Sequence, residues 1–321
     1  LELRLKIVPE ILIVGHVSID RIKNIHGEKI QPGGAALYAA MGARTICRDV
    51  GILSAIGDDY KFYDVLSLFS NSIIKRVKGK STSFSILYDK DWNAIYKEVF
   101  IGPGSRITTR DLINALKYNV KALHIAPMNP PKVEKMIKEI KSKYKNIIIS
   151  LNSSIHYFNK INNRRAILNA ANLCDFFILN ERELHALTEI EVVSEALKLL
   201  KSKVVVLTLG EIGTLIKSEN NIEFVPAMAA ITKNIVDVTG AGDTWAGSFL
   251  ASYLKSKSWS KAVSFASVIS AIKCTGWNFE KIMNLNFNNI EEIYEFAITL
   301  KEKSKQLTLT DIWKNKLPSP I

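Results

Sequence analysis

The chain has 321 residues, 47% of them hydrophobic and 23% charged, with a formal net charge of +12. That length and apolar content support one large α/β domain or two ordinary ones around a sizeable core, and they exclude a disordered chain. No run of about 18 apolar residues occurs, and Glu2 and Pro9 interrupt the opening stretch where a secretory segment needs unbroken apolar sequence, so a cytoplasmic location and no membrane partner are expected.

In chain order, "EILIVG" (10–15) reads as a strand, and a helix is predicted over 34–45. Between them, 20–34 is too polar for a buried strand. Residues 81–100 hold two strand-like runs around a polar "DKDWN" turn, the pattern of a hairpin. From about residue 120 to 275 short β-branched runs alternate with helical patterns. Strands are expected at 122–127, 146–152, 175–180 and 203–210, and helices at 132–144, 163–172, 181–188, 191–201, 241–256 and 259–274.

This alternation predicts an α/β fold, a doubly wound, mostly parallel sheet whose strands are apolar on both faces. Ligands of such sheets lie beyond the carboxyl ends of the strands. The segments 20–34 and 81–100 are therefore expected either as a small β-hairpin lid over that crevice or as a plain extension of the sheet edge. The chain, 1–321, is read as a single domain with a C-terminal helical extension over about 277–321, including a helix near 289–304.

The positive charge alone does not select a partner. Its densest segment, 132–145, carries Val133, Met136, Ile137, Ile140 and Tyr144 at helical spacing, so its lysines fall on the solvated face. No RNA-binding signature accompanies the charge, and no nucleic-acid partner is expected. Cys47, Cys174 and Cys274 lack partners at disulfide or metal spacing and are read as reduced core residues.

The stretch "DVTGAGDTW" (237–245) reads as a strand end, a glycine turn and a helix start. A helix start presents unpaired N–H groups, and glycines let a phosphate approach them, so Gly240, Ala241 and Gly242 suit an anion. Asp243 in the first turn could simply complement the helix dipole. It could also accept a hydroxyl proton, and a base beside an anion cradle is what phosphoryl transfer needs, together with a metal. No Walker loop is present, and the glycine spacing is not that of a dinucleotide fingerprint.

At this stretch the sequence resembles the ribokinase-like (PfkB) carbohydrate kinases, whose second signature has the form D-T-x-G-A-G-D-x-F. Here Val238 and Trp245 stand for the frequent Thr and Phe. "GGAALYAAMGA" (33–43) resembles the first signature, "LNERE" (179–183) the family's N-x-x-E, and "LTLGEIG" (207–213) its T-x-G-x-x-G. The resemblance spans about 10–276.

It implies a ribokinase-like fold and ATP-dependent transfer to a hydroxyl of a polyhydroxylated small molecule, a sugar, cyclitol or nucleoside. Asp243 would be the catalytic base and the Gly240, Ala241 and Gly242 amides an anion hole. Asn180 and Glu183 would organise Mg²⁺, although "NERE" by itself also reads as an N-capped helix. Thr208, Gly210 and Gly213 would lie against ATP, although they also suit a plain hairpin. Asp20 would meet the substrate hydroxyl and Gly33 and Gly34 would allow its close approach; an ordinary surface Asp is the plainer alternative.

Tyr38 stands where the family often has an Asn that contacts the acceptor. "GHVSID", "GGAALYAA", "FIGPGSRIT" and "HIAP" resemble the archaeal and plant myo-inositol kinase branch. The loop after the fourth strand offers Asn152, His156 and Lys160, with no Arg before Arg164. These departures leave a second expectation, a non-catalytic nucleotide- or sugar-binding regulator. The hairpins could also pair between subunits as a homodimer.

Overall fold

The computed structural model describes residues 9–116, 120–219, 221–227 and 234–299. The chain begins with β1 (Ile11–Val14), the hairpin β2 (Ser18–Asn24) and β3 (Gly27–Gly33), then α1 (Ala35–Arg44), β4 (Val50–Ile56), α2 (Tyr63–Ser67) and β5 (Ile73–Arg76). A second hairpin, β6 (Thr82–Tyr88) and β7 (Ala94–Phe100), turns through Asp89, whose Oδ1 accepts from the Asp91 and Asn93 amides. Next come α3 (Thr109–Leu116), β8 (Ala122–Ile125), α4 (Pro130–Lys143), β9 (Ile148–Asn152), α5 (Ile161–Ala171) and β10 (Phe176–Asn180). The rest comprises α6 (Glu181–Thr188), α7 (Val193–Leu199), β11 (Val204–Thr208), β12 (Gly213–Lys217), β13 (Ile222–Pro226), α8 (Ala241–Ser256) and α9 (Trp259–Cys274).

The main sheet has nine strands in the order β13-β12-β11-β10-β9-β8-β1-β4-β5. From β11 to β5 every neighbouring pair is parallel, and β12 and β13 add an antiparallel edge. Strand side chains alternate between faces, and each face is covered. Ile11 and Ile13 of β1 join a core with α1, α8 and α9, while Leu12 and Val14 join another with α3 to α7. This is why the parallel strands are apolar throughout.

The five strands expected from the sequence all form. It misses β4 and β5, a short β-branched run that periodicity cannot separate from a buried helix segment, and the β12–β13 edge. The expected hairpins are present, and β2 pairs in parallel with β6 to join them in one four-stranded sheet, β3-β2-β6-β7, separate from the main one. A further helix runs from 291 to 299, two residues later than the expected start, where 289 and 290 form a bend; residues 300–304 of the expected helix and the tail lie outside the described residues. All three cysteines are buried and free. Among the described residues no helix is long and apolar enough to cross a membrane.

Candidate active site

The carboxyl ends of β1, β8, β9, β10 and β11 point toward the start of α8. Chain order reverses at β1, which has β4 on one side and β8 on the other, and a crevice forms at such a switch point. The four-stranded sheet lies across it. Asn24 Nδ2 donates to the Val236 carbonyl at 2.9 Å, and Arg182 of α6 donates to Asn93 Oδ1 in the β6–β7 turn at 3.1 Å. Between the two sheets, the Tyr96 ring meets the His156 ring edge-on at 4.4 Å between centroids.

Gly240 holds φ = 70°, the left-handed conformation that glycine adopts without penalty, and a Cβ there would overlap the Tyr38 ring. The turn commits the Ala241 N–H to the Val238 carbonyl at 3.1 Å. The N–H groups of Gly240, Gly242 and Asp243 have no acceptor among the described residues. Of the three amides expected to face an anion, those of Gly240 and Gly242 are free among the described residues, while Ala241 closes the turn and the neighbouring Asp243 N–H is free in its place.

Two cavities meet at this turn. One of about 320 Å³ is faced by Asp20, Gly34, Tyr38, Gly240 and Asp243. The other, of about 330 Å³, is faced by Thr208, Gly210, Gly213, Ala241 and Gly242. Three of the four signature segments named from the sequence therefore converge on these cavities, whose compartments the start of α8 separates; Asn180 and Glu183 line neither, although the Asp243 charge reaches Glu183.

Asp243 is half-buried, and its one side-chain hydrogen bond comes from Asn152 Nδ2 at 3.0 Å. Burial pushes its carboxyl up to about 6, and the Asn152 donor only partly opposes this. Asp20 is buried more deeply and is pushed to about 7, against the Ser18 hydroxyl that donates at 2.6 Å and the Gly34 N–H. Gly33 leaves no room for a side chain, since a Cβ would overlap the Asp20 carboxylate. Gly34, at φ = 94°, passes against the His16 carbonyl.

Asn180 and Glu183 form a reciprocal capping box at the start of α6: Glu183 N–H donates to Asn180 Oδ1 at 2.9 Å, and Asn180 N–H to Glu183 Oε2 at 3.0 Å. The N-capped helix is what the structure shows. The cap occupies one oxygen of each side chain, while burial and the neighbouring Asp243 charge raise Glu183 to about 7, an environment that a cation would relieve. Among the described residues no group of three or more His, Cys, Asp or Glu could hold a metal. A Mg²⁺ here fits only one to which phosphate and water supply most ligands.

Tyr38 lines the first cavity with its ring, while its hydroxyl accepts from Gln31 Nε2 at 3.2 Å and Asn278 Nδ2 at 3.4 Å. Asp237, the other acid of the glycine motif, is buried and paired with Lys273, Nζ to Oδ2 3.4 Å. It underlies the turn, whereas Asp243 faces open space.

Sequence reasoning misses Lys273 and the aromatic wall of the first cavity, Phe84, Tyr88, Tyr96 and Tyr157. The signals are there: Phe84, Ile86 and Tyr88 alternate along one face of β6, and Lys273 is a charge set between Ile272 and Cys274 at the end of a largely apolar helix.

The pattern of the pfkB family carbohydrate kinases matches residues 8–278. A cytidine kinase of Thermococcus kodakarensis is 28% identical over 255 residues, covering 77% of this chain and 90% of that protein. A nucleoside kinase of Methanothermobacter thermautotrophicus is 26% identical, covering 79% and 80%. Among solved structures, the nucleoside kinase of Burkholderia thailandensis in complex with inosine superposes with a TM-score of 0.74 at 18% identity, covering 89% of this chain and 98% of that one, a likeness of fold.

Proposed function

Because the chain belongs to the pfkB family of carbohydrate kinases, phosphotransferases with hydroxyl acceptors that use ATP, we propose that it phosphorylates a sugar hydroxyl of a nucleoside. The observation that carries this reading is the pair of cavities meeting at Gly240–Asp243, one lined by the ATP-motif residues, the other by Asp20 and Asp243 under an aromatic wall.

Asp243, raised by burial to about 6, is a base at neutral pH whose conjugate acid is still a competent acid. It takes the proton of the attacking hydroxyl as that oxygen bonds to the γ-phosphorus and the bond from phosphorus to the bridging oxygen of ADP breaks. The unpartnered amides of Gly240, Gly242 and Asp243 hold the charge on the transferred group. Asp20 holds a second hydroxyl. Bound Mg²⁺ would neutralise phosphate charge, with Asn180 and Glu183 holding its waters. The four-stranded sheet acts as a lid that excludes water.

Phe84, Tyr88 and Tyr96 favour a planar base, which stacks on aromatic rings, over a cyclitol, whose rim of hydroxyls finds few partners there. The names of the relatives support the same choice. With ATP and Mg²⁺, cytidine or another nucleoside is expected to exceed ribose and myo-inositol in kcat/KM by at least about tenfold. A preference for myo-inositol would overturn the nucleoside assignment, and no turnover of any acceptor would overturn the kinase reading.

The reading extends to assembly. Strand β7 is exposed along its length and carries Ile95, Val99 and Phe100, an apolar edge suited to a second copy of the lid. Light scattering is expected to give twice the mass of one chain; a monomer at all concentrations excludes this pairing.

A further inference from the structure

Asp243 is aimed by one donor, the Asn152 amide, and a carboxamide is ambiguous: rotated by half a turn it would present an oxygen to the carboxylate. Its direction has to be set from behind. Asn152 ends β9, two residues after Ser150 on the same face of the strand, and Ser150 lies opposite His124 in the β8–β9 register. Ser150 Oγ is 3.1 Å from His124 Nδ1. His124 and Ser150 are fully buried, and Asn152 nearly so.

Two buried atoms in this line have no hydrogen-bond partner among the described residues, His124 Nε2 and Asn152 Oδ1. They are complementary, a ring nitrogen and a carboxamide oxygen, and the β8–β9 register sets their side chains on neighbouring strands, Asn152 two residues along the same face from the Ser150 that pairs with His124. Burial holds the ring at about 4, so it stays neutral and carries one N–H. With the Ser150 hydroxyl donating to Nδ1, that hydrogen is on Nε2, aimed at Asn152 Oδ1.

We propose that His124 is a positioning residue for the phosphoryl transfer: with Ser150 it fixes the Asn152 amide so that its N–H, and never its oxygen, faces the Asp243 carboxylate. The chain runs one way, Ser150 hydroxyl to His124, His124 Nε2–H to Asn152 Oδ1, Asn152 Nδ2–H to Asp243. It rests on the reading of Asp243 as base and adds what keeps that base in place. Asp243 also faces Asp20 from β2, Glu183 from α6 and the Tyr96 hydroxyl from β7, none of which belongs to this line.

The test uses the full chain with ¹³C-labelled aspartate, the Asp243 carboxyl being identified by its loss in Asp243→Asn. In His124→Phe the proton affinity of Asp243 is expected to rise by about threefold to tenfold, because its donor is no longer held. With ATP and cytidine, kcat is expected to fall about tenfold while the KM for cytidine stays within about threefold.

His124→Gln, which keeps a donor near Nε2, should restore most of both, and Ser150→Ala should move both in the same direction by less. An unmoved titration in a folded His124→Phe, or no recovery with Gln, overturns the proposal; where His124→Phe does not fold, Ser150→Ala decides on the same criterion. The titration needs no turnover, so a failed relay is distinguishable from a failed kinase assignment.

Discussion

Asp243→Asn is expected to lower kcat by about 10² to 10⁴ while ATP binding, read by calorimetry or fluorescence, stays within about threefold. The amide matches the carboxylate in shape and leaves the backbone donors of the α8 start in place, so what is lost is proton acceptance. Wild-type turnover should fall as pH drops through about 6, where burial has placed the Asp243 carboxyl, because protonation removes the base. Asp20 and Glu183, raised to about 7, add their own dependence nearby. The limb that belongs to Asp243 is the one absent from the residual activity of the variant. The variant should melt no lower than wild type, since a buried carboxylate raised in this way is destabilised by its surroundings. A variant that turns over within a few-fold of wild type removes Asp243 from the role of base.

What the sequence makes legible here is local. The glycine turn, Asp243 and the α6 cap are set by residues within a few positions of one another, and their physics needs only a strand end and a helix start. The parallel core is legible for the same reason, since a strand covered on both faces must be apolar along its length. The first cavity is not, because its aromatic wall exists only after β2 pairs with β6, strands more than 50 residues apart in chain order. Tyr38 illustrates the limit: its position suggests contact with the acceptor, yet its hydroxyl is taken by Gln31 and by Asn278, 240 residues away. Asn152 reads as one polar residue in a loop; only the alignment of β8 with β9 sets it two residues along from the partner of His124, with its amide on Asp243.

Lys273→Met should lower stability by about 3–5 kcal/mol, because it leaves a buried carboxylate without its countercharge. Both partners of the Lys273–Asp237 pair are inaccessible to solvent, and Lys273 Nζ also donates to the Asp237 carbonyl at 2.7 Å. Burial alone would raise the Asp237 carboxyl; Lys273, with the Thr239 N–H and Gln31, outweighs it and holds the group below its ordinary value, so Asp237 carries its charge at neutral pH. Methionine fills the same volume and removes only the charge and the donor. In Lys273→Met the remaining partners of Asp237, the Thr239 and Asn278 amides and Gln31 Nε2, still donate. Neutral donors do not offset the desolvation of a full charge. A melting temperature lower by roughly 5–10 °C follows for a chain of this size. Lys273→Met combined with Asp237→Asn should recover part of that loss, since the stranded charge is then gone and the two effects are not additive. Lys273 also lies 5.5 Å over the Tyr38 ring, which fills the space beneath Gly240, so the single variant should lose turnover even at temperatures where it remains folded. Melting within about 1 °C of wild type would mean that this pair does not hold the turn, and the anion-binding geometry would then depend on the α1–α8 packing alone.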